Sequence, residues 1–362
     1  MGIRSRTLTL AASAAALLLL PLLAQQFGQG PVRIIDQALL YVLLALGMNI
    51  VVGYAGLLDL GYAAFYALGA YVFALLCSPH LSEQFGAVHA WFPQGLHAPW
   101  WLVIPLGAGL AALLGVLLGT PTLKLRGDYL AVVTLAFGEV VRLFIVNLRH
   151  PVNLTNGAHG ISQIDDIHFF GIDMGQRQNL LGLVLPPVTL YYYLFLALVL
   201  ISLLVCLRLE RSRIGRAWMA IREDELAATA MGIHTRTLKL YAFGMGATFG
   251  GVAGAMFGAF QGFVSPESFS LNESILIVAM VVLGGIGHLP GVVLGALLLS
   301  ALPEVLRYVA GPLQALTDGR LDAPILRQLL VALAMLGVML LRPRGLWALP
   351  EHGRAAPARV GP

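Results

Sequence analysis

The chain has 362 residues, of which 58% are hydrophobic and only 11% charged, with a formal net charge of +4 and a mean hydropathy of +0.83. A water-soluble domain carries roughly 25% charged residues, so this composition excludes a soluble fold and makes lipid the solvent for most of the chain. The surplus positive charge lies in loops and speaks of membrane orientation, not of a nucleic-acid partner.

A bilayer core of about 30 Å needs about 20 apolar residues per helix. Unpaired backbone is too costly in hydrocarbon, and the alternating pattern of a barrel strand is missing, so the expected class is all-α, a polytopic integral membrane protein. The first candidate is the run Leu8–Ala24 behind Arg4 and Arg6. Leu22 stands where cleavage after Ala24 would need a small residue, so the run reads as an uncleaved first helix. Further apolar segments at 34–53, 57–77, 99–119, 128–148, 188–207, 239–262, 273–286, 290–306 and 325–341 give roughly ten crossings. The last turn-linked pair, joined by GGIGHLPG at 284–291, is short for two spans and reads as a candidate broken or re-entrant pair lining a cavity.

With ten crossings and the N-terminus inside, fifteen basic residues fall on the inner side and six on the outer, leaving Arg142 within a helix. That asymmetry predicts both termini in the cytoplasm, with 1–347 as the transmembrane domain and 348–362 as a tail. Residues 78–98 contain no Lys or Arg, and Trp91, Phe92, Trp100 and Trp101 read as an interfacial belt. Residues 149–187, with Asp165, Asp166 and Asp173, form the largest external segment. Either is a solvated connection or a surface for an extracytoplasmic partner.

Small residues recur every fourth position at Ala242, Gly246, Gly250, Gly254, Gly258 and Gly262, and again at Gly107, Ala111, Gly115 and Gly119. Such stripes let lipid-embedded helices approach closely, within one subunit or between two.

The loop at 208–239, RLERSRIGRAWMAIREDELAATAMGIHTRTLK, is far longer than a connector needs. Its pattern predicts one amphipathic helix with Met219, Leu226, Ala230 and Ile233 on a common face. Glu223, Asp224 and Glu225 interrupt its basic flanks, and anionic lipid headgroups would repel them. A protein partner fits this charge order better than a lipid surface.

No catalytic arrangement is visible. Cys77 and Cys206 lie far apart, so neither a disulfide nor a thiolate cluster is expected. His80, His89 and His97 share one external loop at intervals unlike those of a helical metal pair, so neither a metal nor a cofactor is expected. Both lysines, Lys124 and Lys239, follow leucine, so the chain carries no P-loop and any ATP must be hydrolysed elsewhere. Asp59 lies just inside a predicted span, and Glu139 and Arg142, three residues apart, are expected to pair on a face turned to the bundle interior.

Several runs together resemble the branched-chain amino acid ABC transporter permease family, in its larger, M-type subunit. They are LGMNIVVGYAGLLDLGYAAFYALGAY (46–71), LRGDYLAVVTLAFGEVVRL (125–143), LTNGAHGI (154–161), GRAWMAIREDELAATAMGI (215–233), FQGFVSPESF (260–269), MVVLGGIGHLPGVVLGALLL (280–299) and RPRGLW (342–347). The resemblance implies an ABC importer permease fold in a bacterial inner membrane. Its partners would be a second related permease, two cytoplasmic ATPases and a periplasmic binding protein. The ATPase contact would fall on Gly215, Arg216, Ala217, Ile221, Glu223, Asp224, Glu225, Ala227, Ala228 and Gly232. Importers of this kind carry a Glu-Ala-Ala-x-x-x-Gly pattern there. Ala227, Ala228 and Gly232 keep its spacing, but Leu226 replaces the acid and Glu225 sits one position earlier. Asn49, Asp59, Tyr62, Tyr66 and Glu139 are the candidate polar or aromatic groups along the substrate path. Branched-chain amino acids are the expected substrate, with urea, short amides or other amino acids, or a stand-alone carrier, as alternatives.

Overall fold

The computed structural model describes residues 16–26, 28–122, 128–149, 153–169, 172–180 and 183–316, with scattered positions between 329 and 347. The expected first-helix residues before position 16, most of the 325–341 segment and the 348–362 tail lie outside them. Within the described residues a helix α1 covers Ala16–Gln25. It is followed by α2 (Gln29–Met48), α3 (Ala63–Leu76), the short α4 (His80–Gln84) and α5 (Gly86–Trp91), then α6 (Trp100–Thr122) and α7 (Asp128–Asn147). The second half holds α8 (Pro187–Glu210), α9 (Arg213–Glu223), α10 (Glu225–Ala230), α11 (Thr235–Gln261), α12 (Leu271–Gly284) and α13 (Leu289–Leu316).

Five of these, by length and composition, can cross a membrane: Gln29–Tyr54, Trp100–Thr122, Tyr129–Asn147, Pro187–Glu210 and Thr235–Gln261. The roughly ten crossings read from the sequence are therefore not all matched by full-length helices. At 1.5 Å per residue the 14-residue helices α3 and α12 reach only about 21 Å, short of a bilayer core of about 30 Å.

The shortened α3 has a local cause. The expected segment 57–77 begins helically only at Ala63, because α2 runs on through a π-helical turn, Asn49–Tyr54, into irregular backbone at 55–62. Gly56 has φ +69, and a Cβ on Gly61 would strike the Thr134 carbonyl. This buried stretch is satisfied by protein: Leu60 N–H donates to Thr134 Oγ1 (3.0 Å), Gly61 N–H to Asp59 Oδ1 (2.8 Å) and Ala63 N–H to Ser274 Oγ (2.9 Å). Non-helical backbone at membrane depth is tolerated only with such partners.

α11 is the central element, buried along most of its length against α2, α3 and α6. Its every-fourth stripe meets α2 and α3: a Cβ on Gly246 would strike Val51, and one on Gly254 the Tyr66 carbonyl. A second small face, Gly244, Ala247 and Gly251, meets the Gly107–Gly119 stripe of α6, where Gly115 abuts Ala247 and Gly251 abuts Ala111. Apart from Gly262, which meets nothing within 4 Å, both stripes pack inside one chain.

The segment between α7 and α8 departs from the all-α expectation. Two antiparallel pairings lie within it, β2 (His168–Phe169) with β3 (Ile172–Asp173) and β4 (Gln178–Leu180) with β5 (Leu183–Leu185), while its β1 (Ile161–Ser162) pairs with β6 (Phe263–Val264), which follows α11. The register Ile161↔Val264 ties this segment to the end of α11. Its backbone, outside the helical bundle, has no helix to pair it and closes into hairpins instead.

Candidate functional site

The 208–239 region is built from two helices, not one. Ser212 caps α9 by accepting from Gly215 N–H at 3.1 Å. Asp224 ends α9 in extended backbone and its Oδ1 accepts from Leu226 and Ala227 N–H at 2.8 and 3.0 Å, starting α10. An N-cap aspartate satisfies otherwise orphaned donors, so the chain bends at 224 and the expected common face is broken. Met219, Leu226 and Ala230 are exposed, and the buried face is Trp218, Ile221 and Ala228.

Three contacts fasten this helical pair to the bundle. Trp218 is fully buried and its indole N–H donates to the Leu238 carbonyl at 2.7 Å. Glu225 pairs with Lys239 at 2.6 Å, and Lys239 is buried on α11. Arg222 reaches furthest, donating to the Gly53 carbonyl in the π-helical turn at 2.5 Å. Its stem lies against Gly56, and Gly287 in the α12–α13 turn lies beside its guanidinium. Neither glycine has room for a Cβ in its present position. The same turn is held from α2: the fully buried Asn49 accepts through Oδ1 from Gly287 N–H at 2.9 Å.

The expected contact residues therefore divide. Gly215, Ile221 and Ala228 are buried, and a Cβ on Gly215 would strike the Leu209 carbonyl. Ala217 is half-buried, Asp224 is a cap and Glu225 an internal ion-pair partner. Arg216, Glu223, Ala227 and Gly232 are exposed, Gly232 at φ +83 with open space around it. Beside them stand Leu226, 71% exposed, and Met231, 83% exposed. Sequence reasoning missed Trp218 and Arg222. The one available signal was the spacing: Trp218 lies three residues before Ile221 and four before Arg222, which puts the three on one helical face, offset from the one chosen.

The candidate path residues also separate. Asn49 belongs to the end of the bundle next to α9. Asp59 caps the irregular 55–62 stretch, and the Tyr62 hydroxyl donates to the Gly246 carbonyl at 3.0 Å, both structural bonds. Glu139 takes Arg142 Nε on both carboxylate oxygens (3.0 and 3.1 Å), but the pair is 41% and 30% exposed rather than enclosed. It lies on α7, whose outer face this chain leaves uncovered. Tyr66 lines a chamber of about 210 Å³ with Glu273 at the other end of α2 and α11.

In the segment between α3 and α6 the three loop histidines do not converge, and no group of three metal-binding side chains occurs among the described residues. His80 is buried and burial pushes its pKa down, whereas Asp165 beside His97 (2.6 Å) pushes that imidazole up from its ordinary 6.5.

Residues 30–340 match the family described as branched-chain amino acid transport system / permease component. The high-affinity branched-chain amino acid transport system permease protein LivM of Escherichia coli is 43% identical over 291 residues, 77% of this chain and 64% of that protein. The chain thus spans slightly less than two thirds of that relative. LivH of Salmonella typhimurium, also described as a high-affinity branched-chain permease protein, is 25% identical over 315 residues, covering 86% of this chain and 92% of LivH. A probable LivM of Methanocaldococcus jannaschii is 25% identical over 290 residues, covering 74% of this chain and 80% of that protein. No solved structure matches the chain.

Proposed function

The chain belongs to the branched-chain amino acid transport permease family, and on that premise we propose that it is the membrane-embedded subunit of an ATP-driven importer of branched-chain amino acids. It is a multi-pass membrane component of a transport system, not a catalytic enzyme. Relatives named LivM and LivH, both similar to this chain, support a pairing with a second, related permease. Two cytoplasmic ATPases and a periplasmic binding protein complete the reading, in a bacterial inner membrane with both termini and α9–α10 in the cytoplasm.

The observation that carries this reading is the construction of α9–α10. Its inner face is fastened to the turn between α12 and α13 and to the end of α2, while Leu226 and Met231 stand out as uncovered apolar side chains. A partner seated on those side chains displaces α9, and Arg222 passes the displacement to the Gly53 and Gly287 backbones. Transport then needs no covalent chemistry, only two packings of the bundle that the partner biases differently.

The test is reconstitution in proteoliposomes with the partner permease, ATPases and binding protein. ATP-dependent uptake of labelled leucine that stops when the ATPases are omitted supports the reading. Uptake by this chain alone refutes it.

A further inference from the structure

The chamber at the end of the bundle away from α9 has a charge arrangement that the packing of the helices does not require. Tyr41, on its wall, lies twelve residues before Gly53, about 18 Å along the helix axis. Its volume of about 210 Å³ falls below the roughly 300–1,000 Å³ of drug-sized sites, and so suits a ligand of a few heavy atoms.

At one side is Glu273, in the first turn of α12. Its Oε2 accepts from the Tyr41 hydroxyl at 3.1 Å, and Oε1 has no hydrogen-bond donor among the described residues. Among the described residues, no Lys, Arg or His lines the chamber to neutralise it. Gln261, also on the wall, is held from α2 at a point eight residues, about 12 Å, before Tyr41: its Oε1 accepts from Arg33 at 2.8 Å. That bond fixes the amide, so its NH₂ is the end left to donate. Ser268 adds a hydroxyl to the lining. Leu40, Tyr66 and Phe257 supply apolar wall, the two rings packed at 5.4 Å.

We propose that this chamber binds a free amino acid as its zwitterion, with Glu273 receiving the α-ammonium and Gln261 and Ser268 the α-carboxylate. Arg33 stands behind Gln261 and raises the positive potential at the carboxylate end. The ammonium also lies within reach of the aromatic wall, whose ring faces attract cations. The side chain meets Leu40 and Phe257, so a neutral aliphatic one is accommodated, while a charged one would be desolvated without a partner. Glu273 is thereby a specificity residue: a ligand lacking the amino group leaves a carboxylate facing apolar surface unpaired. The inference deepens the transport reading by locating where the substrate pauses, and rests on that reading for its passage.

The experiment uses the complete reconstituted importer carrying Gln37→Cys, at a lining position given no contact in the proposal. The native Cys77 and Cys206 are buried. The rate of alkylation by a small thiol reagent is measured with L-leucine, isopentylamine or 4-methylpentanoate. We expect saturating leucine to slow alkylation at least threefold and neither half-ligand to do so, with protection lost when Glu273→Gln is added. Without protection by leucine the chamber is not a binding site; with protection that survives Glu273→Gln, the ammonium assignment is wrong. Leucine uptake by the unsubstituted importer tests the transport reading separately, so the two failures are distinguishable. Glu273→Asp, which keeps the charge, is expected to retain protection and guards against a folding artefact.

Discussion

Arg222 of α9 and Gly53 of α2, 169 residues apart in sequence, are joined by a hydrogen bond from the guanidinium to the backbone carbonyl. It is a side chain holding a main chain, so the identity of residue 53 contributes room and residue 222 contributes the bond. Arg222→Ala is expected to leave the protein inserted, keep ATP hydrolysis by the full importer and lower leucine uptake about fivefold or more. A net hydrogen bond to a charged, part-exposed group contributes about 1–1.5 kcal/mol, which sets that scale. Uptake and hydrolysis measured on the same proteoliposomes check it; an equal loss of both contradicts the link.

Asp224 and Glu223 are adjacent acids with unequal duties. Asp224→Ala removes the cap of α10 and should cost about 1 kcal/mol of local stability, whereas Glu223→Ala, at an exposed position, should stay within about 0.5 kcal/mol. Amide hydrogen exchange across 225–231 distinguishes them: faster in the first variant, unchanged in the second.

Gly254 and Gly109 make a similar contrast within the bundle. Gly254→Val would drive a branched side chain into the Tyr66 carbonyl and the Ala70 amide, neither of which has a rotamer to change. Overpacking of about 1–3 kcal/mol, or more, should appear as a lowered Tm in detergent. Gly109→Ala meets no atom within 4 Å and should raise or preserve Tm, by up to about 1 kcal/mol from helix propensity.

The His97–Asp165 pair joins the loop before α6 to the segment at 153–169. Asp165 raises the His97 pKa above 6.5, so the bond's stabilisation is fully present below pH 6.5 and is lost as pH rises through the raised value. Protection over 160–168, taken relative to the base-catalysed intrinsic exchange rate at each pH, should therefore be greater at pH 6 than at pH 8.5, and His97→Gln should flatten that difference.

The membrane class and most helix positions were legible because apolar length is a local property, as is the unusual charge of 208–239. The division at Asp224 was not, since a helical period says nothing of a side chain that turns back to cap the next helix. Met219 and Leu226 fit the period as well as Trp218 and Ile221 do, and only the packing partner, Leu238 on α11, decides between the two faces. Glu273 was passed over for a related reason. It sits at a segment boundary where an acid looks like a solvated end, and its neighbour Tyr41 is 232 residues away in sequence. Asp59 read as a path residue because a carboxylate near a span is costly; its bond to the Gly61 amide could be foreseen only by knowing that residues 55–62 leave the helix.

The double small-residue face of α11 bears on how the bundle moves. Where side chains meet, a displacement can be taken up by rotamers; where backbone meets backbone, nothing yields. Gly251 sits against α6 and Gly254 against α3, so α3, α6 and α11 are expected to travel as one block. The hinges then fall at its margins, in the π-helical turn at Asn49–Tyr54 and at Gly285 and Gly287, both held at positive φ between α12 and α13.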